Sequence, residues 1–428
     1  MTRLATFILD DYVSPKIITG PHASEASQGA AKALHRDPHY QELMRRLLDV
    51  GFFDPSPGRF AWRIAVFALA YVGAFVYLLT APGPAGNIIA CVVIGFAHVH
   101  GAFICHDAGH GAITKNKLMV GVIGQFFDTF LGGYSFSYFC RNHDLHHYHC
   151  NESDRDPNTM GALFALNEHA WRDRTAVTRA TARVQHVLIP MLYPLWSLAM
   201  RADGVAYVVR NLRKTWVDAV LLVAHIALWT ILPIHYLGAW GALVSYVGVT
   251  AVAGIYLGVI IPINHVGMPT LDSRSKQSFI VQQVITSRNL PASPLRDFLF
   301  IGQNAQIEHH LFPWAPTFNL GRGRKVVREF CNEHGIPYHE CSYGRALEEV
   351  HRHFARMARY VPPAPTPLLE QCNSRPTLRS LSPSGMGSLA RTSGISRRAA
   401  AVTGRTRISS IRDCPVVDQS GNALPRAS

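Results

Sequence analysis

Three short stretches carry the side chains that could do chemistry. HDAGH sets His106 and His110 four residues apart. HDLHH sets His143 three and four residues ahead of His146 and His147, and QIEHH repeats that spacing with Gln306 ahead of His309 and His310. Positions i, i+3 and i+4 share one face of a helix, so each stretch can aim its rings at one point. Seven imidazoles in these groups are enough for two metal ions. Imidazole suits Fe, Zn, Cu and Ni alike, so ligand type leaves the metal open. Asp107, Asp144 and Glu308 stand directly beside the histidines, where a carboxylate can accept a ring N–H, fix its tautomer, or bind metal itself. A solitary histidine near a membrane surface is ordinarily structural, and His98, His100, His149, His225 and His235 are read that way. Asn264-His265 closes an apolar run, where polar groups tend to be functional. A cap or core role and an eighth ligand both stay open for His265.

The elements that must position these groups are membrane helices. Four apolar stretches, 60–80, 87–105, 217–237 and 241–263, are each long enough to cross roughly 30 Å of hydrocarbon. The first begins after residue 59, and no cleavable signal pattern precedes it. The 41 Lys and Arg avoid the short connections Ala81–Gly86 and Gly238–Trp240 altogether. By the positive-inside rule those two tips face outward, and both termini and all three histidine groups face the cytoplasm. The expected fold is an all-α integral membrane protein: about four transmembrane helices in two hairpins, with a cytoplasmic helical cap carrying the histidine groups. A net charge of +13 then lies beside an anionic leaflet. Spread over four segments without a binding fold, it excludes nucleic acid as the partner. Arg63 alone among the basic residues falls inside an apolar stretch. The eight cysteines show no paired spacing and read as free thiols.

Three regions follow. Residues 1–59 form a cytoplasmic N-terminal segment: 1–36 irregular, then an amphipathic helix from Asp37-Pro38 through Leu43, Leu47 and Leu48, broken at Gly51 to Gly58. Residues 60–360 form the membrane domain. Within it, the glycine-rich Met119–Phe139 and the proline-bearing Val187–Met200 read as interfacial or partly re-entrant helices. Arg322 to Tyr360 reads as two soluble helices separated by Gly335-Ile336-Pro337. Residues 361–428 form a tail with nine arginines against Glu370, Asp413 and Asp418, too poor in apolar residues to build a core and therefore expected to be disordered.

The order HDAGH, HDLHH, QIEHH, with apolar runs between the second and third, resembles the membrane fatty acid desaturases. The likeness extends to HHYHCNESDRDPN, with its Asp156-Pro157 pair, and from QIEHHLFP through REFCNEHGIPY, so it covers about residues 40–360. Glutamine in the third box resembles the front-end desaturases and their bacterial relatives. Two departures stand out: the His-Pro-Gly-Gly motif of a fused cytochrome b5 domain does not occur, and GQNAQ stands where that subgroup has a Gly-Gly and an Asn-Tyr pair. The first implies a separate electron donor of ferredoxin or cytochrome b5 type, and the second bears on regioselectivity.

The resemblance implies a non-haem di-iron centre held by His106, His110, His143, His146, His147, His309 and His310, with His265 as the additional ligand. Gln306, Asn264, Asp107, Asp144, Glu308 and Asp156 would support it. It implies an O2-dependent oxidoreductase placing a cis double bond in a CoA- or lipid-linked acyl chain at the bilayer. Breaking unactivated C–H bonds is beyond side-chain acids and bases and requires such a cofactor. A lipid hydroxylase or ketolase of the same histidine-box type is the nearest alternative. A histidine-rich metal transporter is the alternative from another class, and it would need ionisable groups facing each other at mid-membrane depth.

Overall fold

Asp37 starts the first helix by accepting the N–H groups of His39 and Tyr40 at 2.9 and 3.4 Å, with Pro38 in the first turn. The computed structural model describes residues 37–80, 83–159, 163–171, 174–272 and 277–361. The irregular segment expected over 1–36 and the basic tail from residue 362 onward lie outside them. Helix α1 (Pro38–Asp49) ends at Gly51, whose φ of 66° only glycine adopts without strain. Two long helices follow, α2 (Pro57–Thr80) and α3 (Gly83–Gly109), the second ending in the first histidine group. Helix α4 (Lys117–Gly124) passes into a π-helical stretch, Gln125–Leu131, and α5 (Phe136–Tyr148) carries the second group. Next come α6 (Ala176–Arg183), α7 (Gln185–Met191), α8 (Tyr193–Arg210), α9 (Trp216–Ile260) and α10 (Pro262–His265). The cap contains α11 (Phe279–Ile285), α12 (Pro294–Leu299), α13 (Gln306–Leu311), α14 (Leu320–Glu333) and α15 (Tyr343–Arg359). No strands occur among the described residues, only the isolated bridges Glu152–Leu271 and Asn289–Glu340.

Three helical stretches are long and apolar enough to cross a bilayer: Pro57–Thr80, Gly83–Gly109 and Trp216–His265. Their outward faces expose Leu69, Val72, Val76, Ile88, Ile89, Val223, Ile226, Leu243 and Val247, the surface that lipid tails would cover. The chain is an integral membrane protein. Its third stretch is not one straight rod. The backbone leaves helical geometry at Gly238 (φ 73°, ψ 169°), and residues before the break meet residues after it. Tyr246 OH lies 3.1 Å from His225 Nε2, and the Trp229 and Tyr246 rings sit 5.3 Å apart. Likewise α2 and α3 lie side by side, with the Phe67 ring 4.0 Å from that of His100 and 6.3 Å from that of Phe96.

Small residues let these helices approach. A Cβ at Gly95 of α3 would come within 2.7 Å of Val252 on α9. A Cβ at Gly254 of α9 would lie 2.4 Å from the Tyr193 carbonyl, where α8 crosses. The stretch expected as an interfacial Met119–Phe139 helix is three pieces: α4, the π-helical stretch, and a Gly132-Gly133 turn leading into α5. Val187–Met200 is split between α7 and α8, with Pro194 accommodated in the first turn of α8.

The cap surrounds α13, every residue of which is buried. Tyr40 of α1 donates to the Leu311 carbonyl at 3.2 Å and stacks on Phe312 at 4.9 Å. Helices α14 and α15 are joined through Gly335, whose φ is 67°. We expect Gly254→Ala to lower the unfolding temperature in detergent, because a side chain forced against backbone costs about 1–3 kcal/mol. Gly73→Ala on the lipid-facing side of α2, where a Cβ meets nothing within 4 Å, should leave it unchanged or raise it.

Candidate metal centre

Helix α3 delivers His106 in its last turn, and His110 follows just beyond its end; α5 delivers His143, His146 and His147, and α13 delivers Gln306, His309 and His310. The short α10 adds Asn264 and His265. These rings separate into two groups whose ligand atoms lie within 4.8 Å of one another: His106, His110, His143, His147 and His309 in one, and His146, Cys150, His265 and His310 in the other. The second and third boxes are each divided between the two groups. Neighbouring residues on a helix differ by about 100° in direction, so His146 and His147, or His309 and His310, cannot serve one point. His98, His100, His149, His225 and His235 belong to neither group.

The hydrogen bonds behind the rings decide how each is oriented. His106 Nδ1 faces Asp107 Oδ1 at 3.2 Å, and His146 Nδ1 faces both oxygens of Asp156 at 3.0 Å. His310 Nδ1 donates to Gln283 Oε1 at 2.8 Å, and His265 Nδ1 to the Thr286 carbonyl at 2.9 Å. In each of these four rings the proton sits on Nδ1, and Nε2 turns inward with a lone pair. His106 Nε2 lies 3.1 Å from His309 Nε2, and His143 Nε2 lies 3.0 Å from His147 Nε2. The buried Nε2 atoms of His110 and His310 have no hydrogen-bond partner. Ring nitrogens crowded this closely, with the buried Nε2 atoms of His110 and His310 left without partners, are unfavourable by themselves. A cation in each group satisfies them, so the donor set fits two nitrogen-rich transition-metal positions.

Electrostatics agree with the geometry. Burial, and then repulsion within the cluster, holds His110, His143, His147, His309 and His310 well below the usual imidazole range. They remain neutral, as metal binding requires. Burial works to raise the Asp156 carboxyl, but His146 and the N–H groups of Asn151 and Asn158 hold it below the ordinary carboxylate value.

The carboxylates adjacent to the histidines differ in what they touch. Asp107 Oδ1 meets the His106 ring. Glu308 does not: its oxygens accept from Asn289 Nδ2 at 2.8 Å and Tyr338 OH at 2.7 Å, on the side of α13 turned toward the cap. Burial lifts the Asp144 carboxyl to about 7, and the rings' acceptors lie elsewhere. Gln306 sits where a further histidine would complete the third box. Its Nε2 donates toward His265 Nε2 at 3.0 Å, and its Oε1 accepts from Asn264 Nδ2 at 3.2 Å.

Gln283, Thr286 and Cys150 go beyond the sequence reading. Gln283, fully buried on α11, joins two boxes by accepting from His310 and donating to the His147 carbonyl at 2.9 Å. Thr286 supplies the carbonyl behind His265, and its hydroxyl lies 3.3 Å from Cys150 Sγ. A glutamine inside the apolar run FIVQQVI was the available signal for the first. Box three is launched from a strained turn, with Ile301 at φ 56° and Gly302 at φ 83°. A β-branched residue there costs of order 1–3 kcal/mol, which the surrounding packing must offset.

The chain matches the family model described as fatty acid desaturase over residues 82–342. It is 27% identical over 315 residues, 70% of each chain, to a Delta(6)-fatty-acid desaturase of Caenorhabditis elegans. A Delta 8-(E)-sphingolipid desaturase of Emericella nidulans is 27% identical over 354 residues, which cover 78% of this chain and 63% of that one. An acyl-lipid 8-desaturase of Rebecca salina is 26% identical over 330 residues, 74% of each.

Asp156→Ala should reduce metal retention about 10- to 100-fold, the usual effect of removing a ligand's orienting partner. Glu308→Gln should keep the metal and lower the unfolding temperature instead. Metal analysis of purified protein and thermal unfolding separate the two effects. In metal-free protein the depressed histidine pKa values make the unfolded chain bind more protons. Stability is therefore expected to be full above about pH 6.5 and to fall as pH drops below it, as a pH series of unfolding temperatures would show.

Proposed function

Because this chain belongs to the fatty acid desaturase family, we propose that it introduces a cis double bond into a lipid-linked acyl chain, using O2 and a non-haem di-iron centre. The observation that carries this reading is the pair of imidazole groups whose ring nitrogens converge, with Nδ1 of His106, His146, His265 and His310 held by acceptors outside the groups. Two irons bound there would supply the oxidising power that removing two hydrogens from an unactivated chain demands. His106, His110, His143, His147 and His309 would hold one; His146, His265 and His310 would hold the other.

The protein's own work is positional. Asp107, Asp156, Gln283 and the Thr286 carbonyl keep the rings in one tautomer, which spares the centre any reorganisation during turnover. Gln306 is a neutral amide at the edge of the second group. In this structure its Nε2 donates to His265 Nε2, the nitrogen that would hold the metal, so metal binding there would require the amide to release that contact, while Asn264 holds its oxygen. Glu308 acts on the scaffold, tying α13 to Asn289 and Tyr338.

We read the membrane arrangement as four crossings, with reversals after α2 and at Gly238. Both connections are free of Lys and Arg and would face outward, leaving the termini and the metal positions cytoplasmic. Both groups then lie at the inner ends of α3 and α9, where an acyl chain can enter from the lipid while its headgroup stays in water. Two of the relatives are named for acyl-lipid and sphingolipid substrates, which favours a lipid-linked chain over a CoA thioester. The electrons would come from a separate ferredoxin or cytochrome b5.

The test is expression with a donor and its reductase, feeding of defined fatty acids, and mass-spectrometric location of new double bonds in each lipid class. A double bond in membrane lipid is expected, and His309→Ala should abolish it while leaving membrane insertion intact. A new hydroxyl group at the same position would instead favour a hydroxylase. Gln306→His should retain iron and slow turnover by about 10-fold or more.

A further inference from the structure

Arg63 is the one basic residue inside an apolar stretch, two turns into α2. A charge at that depth is costly unless paired, and such residues are commonly functional. Its side chain is 7% exposed, and its Nη1 lies 3.8 Å from Oδ2 of Asp107 on α3. That oxygen has no hydrogen-bond partner, while the other oxygen of Asp107 faces His106 Nδ1 at 3.2 Å. On its other side the guanidinium lies over the Phe318 ring at 5.6 Å, in the segment that follows the third box. Phe318 in turn packs against Phe60 of α2 at 4.9 Å. Arg63 thus touches the segments on both sides of His106 and His309, whose Nε2 atoms face each other.

We infer that Arg63 is a positioning residue for the metal centre: it compensates the buried Asp107 carboxylate, which in turn holds His106 with Nε2 inward. The inference rests on the function proposed above and extends it to a residue outside the histidine boxes. A buried carboxylate deprived of its cation is left uncompensated, and it turns to whatever water or donor it can reach. His106 then loses the acceptor that orients it. The guanidinium itself touches no reacting atom, so its effect passes entirely through Asp107.

The experiment uses the full chain, loaded with iron in membranes and compared as wild type, Arg63→Met, Arg63→Lys, Asp107→Asn and the Arg63→Met/Asp107→Asn pair. Iron release to a chelator and the Mössbauer spectrum are recorded beside the unfolding temperature. Arg63→Met should release iron about 10-fold faster, with the change confined to one of two spectral components, and Arg63→Lys should recover most of the loss. The double variant should release iron no faster than Asp107→Asn alone, because Arg63 has nothing left to act on. Wild-type release in Arg63→Met, or effects that add in the double variant, would overturn the inference. If Arg63→Met does not insert, Arg63→Gln and Arg63→Gln/Asp107→Asn take its place in the same comparison. A wild-type chain that binds no iron would instead contradict the proposed function, before any variant is compared.

Discussion

Imidazoles crowded within contact distance must each stay neutral and keep one lone pair facing inward. That requirement governs the structure more than any single helix packing does. For His106, His146, His265 and His310 a fixed acceptor holds the other nitrogen, and these acceptors come from unrelated places. Asp107 lies at the end of a membrane helix, Asp156 in the loop after α5, and Gln283 and Thr286 in and just after the short α11. The centre is therefore a property of the whole cap and the ends of the long helices that meet it, and the three boxes are only its most visible part.

The third box shows what this demands of the scaffold. A helix of six residues does not form by itself, since nucleation outweighs the few hydrogen bonds it gains. It is held instead by a strained entry turn at Ile301-Gly302, by Tyr40 on the Leu311 carbonyl, and by Glu308 on Asn289 and Tyr338. The amphipathic α1, far away in sequence, is thus part of what keeps His309 and His310 in place. Gln306 belongs to the same economy of space: its amide satisfies Asn264 and His265 together, in a position where a ring would compete for the same lone pair.

Much of this was legible in the sequence, for definite reasons. Spacing at i, i+3 and i+4 reports a helical face directly, and apolar runs of about 20 residues report helices long enough to cross a membrane. The start of α1 at Asp37-Pro38 and the break at Gly335 followed from capping and turn chemistry. What spacing could not supply was the partner of each ring, because tertiary contacts leave no period. Asp107 and Glu308 occupy like positions beside a box histidine, yet only the first meets a ring. The second is carried to the opposite side of its helix. Gln283 offered only the signal of a glutamine in an apolar run and Thr286 offered none, and the division of the second and third boxes between two groups appears only when all helices are assembled. Cys150, read as one more free thiol, lies among the second group.

The central claim is that the chain builds two inequivalent metal positions from histidines of all three boxes. Quantifying iron per chain and recording the 57Fe Mössbauer spectrum of the purified, full-length protein tests it most directly. The account predicts two irons per chain in two distinguishable nitrogen-rich environments, with one environment altered selectively by removal of His110 and the other by removal of His146. A single iron per chain, or one spectral component that responds equally to both substitutions, would contradict it.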